Sequence, residues 1–495
     1  MPPIRDVIFV VLFFSLCFGS LAQRLLRDGG TGWHIRAGQR ILATHAIPRT
    51  DPFSLSTAGE AWYAWEWLYE AGLGIVYNHA GLNGAVAATA LLVAFTFAWL
   101  FSLMRERGAD VFTATVLLLL AFAAAAIHLQ VRPHVVSWLL TLVWWFVLER
   151  AREKDNPWFL IWLPPLTALW VNIHGGFLFG FALLGVYDFD AIWRLKQKRD
   201  DPEARRWLVT VWLTTALCGV ATLLNPYHVN LHRHIYKYLT DTFLMHHIQE
   251  FQAPNFHDFS PLCFAALGFL GIAGFALARN KPGLREVAAF AFAIWAGLYA
   301  SRNLPVSSML MAVITGPFIS AALRQRVYAA RAPNSWVADR LGMLDATFRG
   351  GLWPGAAVLV VLWLITHSGY FGRTQLMHAQ FDGAKFPVAA VKYLQTSGIQ
   401  APLFTPDQWG GYLIYEHYPA VLVDDRHDLY GDEFFKRYLT IVHVEPGWQE
   451  AIEQMHPRYM LIPTGSQLAA HLQSAEKWRQ RYQDSVGTLF ERTTD

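Results

Sequence analysis

Long apolar runs, about eleven of them, constrain this chain more than any other feature of its sequence. They fall at roughly 7–23, 84–104, 111–129, 135–149, 158–172, 177–193, 207–224, 261–278, 287–301, 305–323 and 352–367. In hydrocarbon a backbone must satisfy its own hydrogen bonds, and a helix of about 20 apolar residues does so while crossing a core of about 30 Å. The expected fold class is therefore mainly α, a polytopic transmembrane bundle of about 11 helices. The fifth run, broken by Pro164-Pro165, and the ninth are short for a bilayer, so tilted or partly re-entrant segments stay open there. Charged residues make up only 16% of the chain, against about 25% in a soluble domain. A net charge of +3 without a basic tract excludes nucleic acid as an expected partner. Cys17, Cys218 and Cys263 lie inside apolar runs, where a cysteine reads as a small buried hydrophobe.

Basic residues orient the bundle, because Lys and Arg are retained on the cytoplasmic side during insertion. An N-terminus inside puts five clusters in cytoplasmic loops: Arg105 and Arg107; Arg150, Arg152 and Lys154; Arg194 to Arg206; Arg279, Lys281 and Arg285; and Arg324, Arg326, Arg331, Arg340 and Arg349. The short outer turns then carry only Arg132 and Arg302. A long first outer loop, 24–83, and the C-terminal region also face outward. This is the topology of a plasma (inner) membrane protein. A cleaved signal peptide is the alternative for the first run, where Arg5 precedes an apolar stretch ending Ser20-Leu21-Ala22. The downstream topology is the same either way.

Beyond residue 370 the pattern becomes that of a small extracytoplasmic α/β domain, 370–495, following a transmembrane domain, 1–369. Its first helix, Pro387-Val-Ala-Ala-Val-Lys-Tyr-Leu, stops near Gly398. Strands are predicted at 402–405, 420–424, 459–463 and 487–492, with helices at 433–442, 448–455 and 467–475 between them.

The polar residues that a simple bundle does not require collect on the outer face. Asp28 sits just past the first run, where a carboxylate meets both a lipid-borne substrate and water. There it serves either as a general base or as a solvated partner of Arg24 or Arg27. Glu66, within Trp62-Tyr-Ala-Trp-Glu-Trp-Leu-Tyr-Glu70, is either on the polar side of an interfacial helix or a second inward acid. The outer turns are Val131-Arg132-Pro133-His134, Asn172-Ile-His174-Gly-Gly, Asn225-Pro-Tyr-His228 and Ser301-Arg302-Asn303-Leu-Pro305. Each is ordinary turn chemistry, yet together they bring Arg, His and Asn to one face. Guanidinium groups at that depth suit a phosphate or pyrophosphate. The loop after the seventh run adds His232, His234, His246, His247, Glu250 and His257, whose spacing does not support a zincin-like metal site. Strand 420–424 runs into Asp425-Arg426-His427-Asp428, and polar clusters at the carboxyl ends of strands are the usual place for ligand sites. Asp432 reads as a helix cap.

On these features the chain resembles the GT-C superfamily, polytopic glycosyltransferases that take a sugar from a polyprenyl-phosphate carrier on the outer face. The likeness rests on a long first outer loop with an early Asp, many following spans and an outer C-terminal domain. The chain is most similar to a group of largely uncharacterised bacterial membrane proteins sharing Trp33-His34-Ile35, Arg132-Pro133-His134, Asn172-x-His174-Gly-Gly, Asn225-Pro226-Tyr227 and Asp425-Arg426-x-Asp428-Leu-Tyr-Gly. The resemblance implies Asp28 as the first-loop acid, a catalytic base or metal ligand. Glu66 is a candidate second acid. His34, Arg132, His134, Asn172, His174, Arg302, Asn303, Asp425, Arg426 and Asp428 are substrate-binding candidates, with a polyprenyl-phosphate-linked sugar and membrane lipid as partners. A divalent ion, Mg or Mn, is left open. Two departures stand out. Many members have a second acid beside the first, whereas Gly29 and Gly30 follow Asp28 here. The Trp-Trp-Asp signature of oligosaccharyltransferases is replaced by Asp407-Gln-Trp-Gly-Gly-Tyr412 in another order. The rival readings are a lipid or solute transporter or flippase, which needs ionisable groups near the midplane that these runs nearly lack, and a non-catalytic scaffold of the cell envelope.

Overall fold

A computed structural model describes residues 2–325, 340, 342 and 350–493; Arg326, Arg331 and Arg349, expected in an inner loop, lie outside them. The chain is mainly helical. Among the described residues four helices are both long and apolar enough to cross a bilayer: Trp67–Glu106, Val111–His128, Phe259–Leu277 and Ser301–Leu323. By that measure the expected count of about eleven is not reached, and the local sequence explains why. Gly19, in extended backbone, ends the first helix at Ile4–Phe18. Pro164-Pro165 lack the N–H groups of a helix interior, so the fifth run divides into the 3-10 turn Pro157–Trp162 and the short helix Leu163–Trp170. Leu284–Tyr299 and Leu352–Thr366 span 16 and 15 residues.

The helix Trp67–Glu106 dominates the architecture. Its 40 residues correspond to about 60 Å of rise, bent at Gly81, whose φ of 57° a side chain would resist. It begins well before the apolar run at 84–104, inside the aromatic segment expected along the interface. That segment instead turns into the protein: Trp62, Glu66 and Glu70 are all buried.

In the C-terminal region a four-stranded sheet has the order β3-β4-β6-β5, with β3 Leu403–Phe404, β4 Tyr459–Pro463, β5 Trp478–Gln483 and β6 Gly487–Arg492; the hairpin of β1 Tyr370–Phe371 and β2 Thr374–Gln375 precedes it. β4 and β6 fall where predicted. β5 escapes sequence reading because Trp-Arg-Gln-Arg-Tyr-Gln is a largely exposed edge strand without an apolar face. Segment 420–424 is no strand: only Val421 makes bridges, to Ser54 and to Leu403. A short helical turn from His427 precedes the helix expected at 433, and Gly431, φ 73°, breaks the two apart, so the second resumes next to its expected start. An unforeseen helix, Asp407–Tyr415, precedes it.

The segment 24–83 joins the two parts. Its helix, Gly30–Thr44, packs on Trp67–Glu106 along one side and on Asp407–Tyr415 along the other. Trp33, Ala37, Trp62 and Ala64 share a hydrophobic cluster with Phe386, Trp409, Leu413 and Val421. The contact is backbone to backbone, because a Cβ at Gly29 would overlap the carbonyl of Gln408 and one at Gly411 the carbonyl of Gly29. The glycines that stand where an acid and an aromatic signature were sought therefore interlock two helices.

Candidate active site

Asp28 lies just before the N-terminus of helix Gly30–Thr44 and is buried. Its Oδ1 accepts the Gly30 N–H at 2.9 Å and its Oδ2 accepts from Arg132 Nη1 at 3.3 Å. Arg24 and Arg27 are not its partners; Arg27 bonds Asp382 at 2.8 Å. Arg132 enters from the turn between Val111–His128 and His134–Glu153, and its Nη1 also stands 4.0 Å from Asp425 Oδ2. Asp425 comes from the C-terminal region, with Oδ1 accepting the Trp33 indole N–H at 2.9 Å. All three meet over Gly30: a Cβ there would lie 2.7 Å from Asp425 Oδ2, 2.8 Å from Asp28 Oδ1 and 3.3 Å from Arg132 Cζ. Burial and the neighbouring Asp28 push the Asp425 carboxyl up to about 7, against the pull of Arg132.

Glu66 occupies the adjoining position. Its oxygens face His34 Nε2 at 3.7 Å and His174 Nε2 at 3.8 Å. His174 Nδ1 accepts the Gly176 N–H at 3.0 Å and contacts the Ser137 hydroxyl at 2.8 Å. A neutral His174 therefore carries its proton on Nε2, aimed at Glu66. His34 Nδ1 lies 3.3 Å from Glu70 Oε1, and its fully buried Nε2 has no hydrogen-bond partner. Burial raises Glu66 to about 8 while the charges of Arg132 and Arg302 oppose it. Both guanidinium groups thus act on one carboxylate. Arg302 sits 3.6 Å from Glu250 and over the Phe251 ring at 4.5 Å. His134 bonds the His128 carbonyl at 2.8 Å and its ring faces His174 at 6.4 Å.

Other candidates have structural employment. Asn172 accepts from Trp67 Nε1 at 2.7 Å and donates to the carbonyls of Ala168 and Leu224 at 2.7 and 2.8 Å, filling its amide. Asn303 donates to the Ala296 carbonyl at 3.0 Å. Arg426 is a strut: Nη1 bonds Asp51 at 2.7 Å, while Nε and Nη2 grip Asp424 at 2.8 and 2.7 Å, all buried. It ties the C-terminal segment to the first loop. Asp428 accepts from His234 at 3.0 Å, and His427 bonds Asp407 at 2.8 Å. Sequence reasoning weighed His234 only as a metal ligand and Trp33 only within the Trp33-His34-Ile35 segment; their partners are 194 and 392 positions away, and no local signal marks these bonds.

The donor set does not fit a divalent ion. Among the described residues no three His, Cys, Asp or Glu side chains converge in a metal-holding arrangement, and the Arg132 guanidinium already stands between Asp28 and Asp425. Of the loop histidines, His232 bonds Thr222 at 2.8 Å and His247 the Phe243 carbonyl at 2.8 Å.

No protein-family model matches the chain, and no curated protein is similar to it in sequence. Solved structures do match. The oligosaccharyltransferase AglB from Archaeoglobus fulgidus, solved with an inhibitory peptide and a dolichol-phosphate, superposes with a TM-score of 0.57 at 10% identity, over 93% of this chain and 69% of that one. ArnT from Cupriavidus metallidurans in the apo state superposes with a TM-score of 0.51 at 14% identity, over 98% of this chain and 97% of that one. This chain shares the overall fold of these two proteins.

Proposed function

We propose that this chain is a membrane glycosyltransferase of GT-C type, moving a sugar from a polyprenyl-phosphate carrier to an acceptor on the extracytoplasmic face of the plasma membrane. The observation that carries the reading is the meeting of Asp28, Arg132 and Asp425 over Gly30 in a chain whose fold is shared with an oligosaccharyltransferase that binds a dolichol-phosphate. In this reading the shorter apolar helices complete about eleven passes, the N-terminus is cytoplasmic, and 370–495 forms an outer domain over the transmembrane part, 1–369.

A buried carboxylate beside a guanidinium suits the two charges that develop in transfer. The cluster of buried carboxylates at Asp28, Asp425 and Glu66 activates the acceptor by general-base action. Arg132 stabilises the departing lipid phosphate as its charge grows, with Arg302 as the second cation. Asp28→Ala is expected to abolish transfer while the folded protein accumulates normally; full activity in that variant refutes the reading. Native mass spectrometry of the purified protein should find a copurifying polyprenyl lipid, which a silent scaffold would lack.

A further inference from the structure

We propose that Asp425, delivered by the C-terminal segment, takes the proton of the acceptor, while Asp28 and Arg132 form the fixed ion pair that positions it. The proposal rests on the glycosyltransferase reading and names the base within it. The first-loop acid is the obvious candidate for that task, but its geometry argues otherwise. Both Asp28 oxygens are engaged, one by a backbone N–H and one by a guanidinium. Asp425 differs. Its Oδ1 is held by Trp33, while among the described residues Oδ2 accepts no hydrogen bond and has Arg132 at 4.0 Å.

Neighbouring acids of the same segment are excluded by their partners. Asp424 is gripped by Arg426 and the Tyr430 hydroxyl, Asp428 bonds His234, and Asp407 bonds His427. Of these acids Asp425 alone stands within 4.0 Å of the Arg132 guanidinium, with its Oδ2 over Gly30. The strut of Arg426 to Asp424 and Asp51 fixes the backbone beside it, and Gly30 leaves the space in which Oδ2 lies. The missing acid beside Asp28 is thereby replaced by one from a segment nearly 400 residues later. The groups facing Asp425 are Asp28, Arg132, Asp424 and His427. Burial and Asp28 raise its carboxyl to about 7, near the value that best serves a base at neutral pH.

The step balances as a displacement. The acceptor hydroxyl oxygen bonds the anomeric carbon, and the bond from that carbon to the phosphate oxygen breaks with its electron pair left on the lipid phosphate beside Arg132. The hydroxyl proton goes to Asp425 Oδ2 and from there to water.

The test uses the full chain in lipid nanodiscs with undecaprenyl-phosphate-linked hexoses as probe donors, reading release of undecaprenyl phosphate against pH. Asp425→Asn should lower kcat by about 10²–10⁴-fold and abolish the acidic limb near pH 7, with partial rescue by Asp425→Glu. Asp28→Asn should lower the rate but keep a limb, displaced downward as the repulsion on Asp425 is removed. Gly30→Ala, whose Cβ meets only side-chain ends, should cut kcat while thermal unfolding stays near that of the unmodified protein. An unchanged rate and limb in Asp425→Asn overturn the proposal. If the unmodified protein releases no lipid phosphate from any donor, the glycosyltransferase reading fails first. Infrared titration then decides for Asp425 itself: beside the Glu66 carboxyl, a second carboxyl must titrate near neutrality, vanish in Asp425→Asn and persist at lower pH in Asp28→Asn, and its absence overturns the assignment.

Discussion

Two ends of the helix Trp67–Glu106 carry buried carboxylates in opposite circumstances. At one end Glu149, on the neighbouring helix His134–Glu153, is paired with Arg107 at 2.6 Å and Arg285 at 3.1 Å, and the Tyr187 hydroxyl donates to it. Glu106 and Arg150 close at 2.6 Å beside it. At the other end Glu66 has only the two imidazoles at 3.7 and 3.8 Å, and Asp425 keeps an oxygen without a donor. Burial of charge without full compensation costs stability. The first end is compensated as a structural joint is; the second holds its acids short of compensation, as sites of chemistry do.

Breaking that contrast should give effects of different kinds. The largest is on rate: Arg132→Met should lower transfer by about 10²–10³-fold through loss of a preorganised cation, measured as release of lipid phosphate. Next, Glu149→Ala should cost about 1–3 kcal/mol by leaving the buried Tyr187 hydroxyl without its acceptor, while Arg107 keeps Glu153 and Arg285 keeps Glu286, seen in unfolding of the detergent-solubilised protein, with the rate per folded molecule unchanged. Asn172→Ala should cost about 1–3 kcal/mol, since it strands the Trp67 indole N–H among buried groups; unfolding reads this too.

A smaller effect sharpens the comparison by its sign. Burial and Asp28 push the Asp425 carboxyl of the folded chain up to about 7, from an ordinary value of 3.8. Between those values the folded state holds a proton that the unfolded state has lost, so its contribution to stability falls as pH rises. Asp425→Asn should therefore melt above the unmodified protein at pH 8 and show no such gain near pH 4. Glu66→Gln should behave alike, with its carboxyl raised to about 8. A gain confined to acid pH would reverse the assignment. Last, addition of a chelator should leave transfer unchanged, because Arg132 supplies the cation between the acids.

Helices with an uninterrupted apolar pattern were the legible part. Val111–His128 and Phe259–Leu277 fall within a few residues of their runs, because hydrophobic length is a local property. β4, β6 and the helix Trp448–Met455 were readable for the same reason. The helix Asp407–Tyr415 was not, since its Gly410-Gly411 pair looks like a turn and makes sense only against Gly29. In the site, Asp28, Glu66 and Arg132 announced themselves as charges beside apolar runs. Arg426 and Asn172 drew attention equally, yet their bonds go to the fold; a polar residue in a turn has the same sequence signature whether its partner is a carbonyl or a ligand.

By itself, then, the sequence determined the solvent of this protein, the helices with the longest apolar runs and the gathering of polar residues in particular turns, because these follow from hydrophobicity along the chain. Only the tertiary structure decided which carboxylates are neutralised and which stay open. That depends on partners such as Trp33 and Asp425, 392 positions apart, and on a missing methyl group at Gly30. Electrostatic compensation is a matter of ångströms in space, and spacing along the chain carries no record of it.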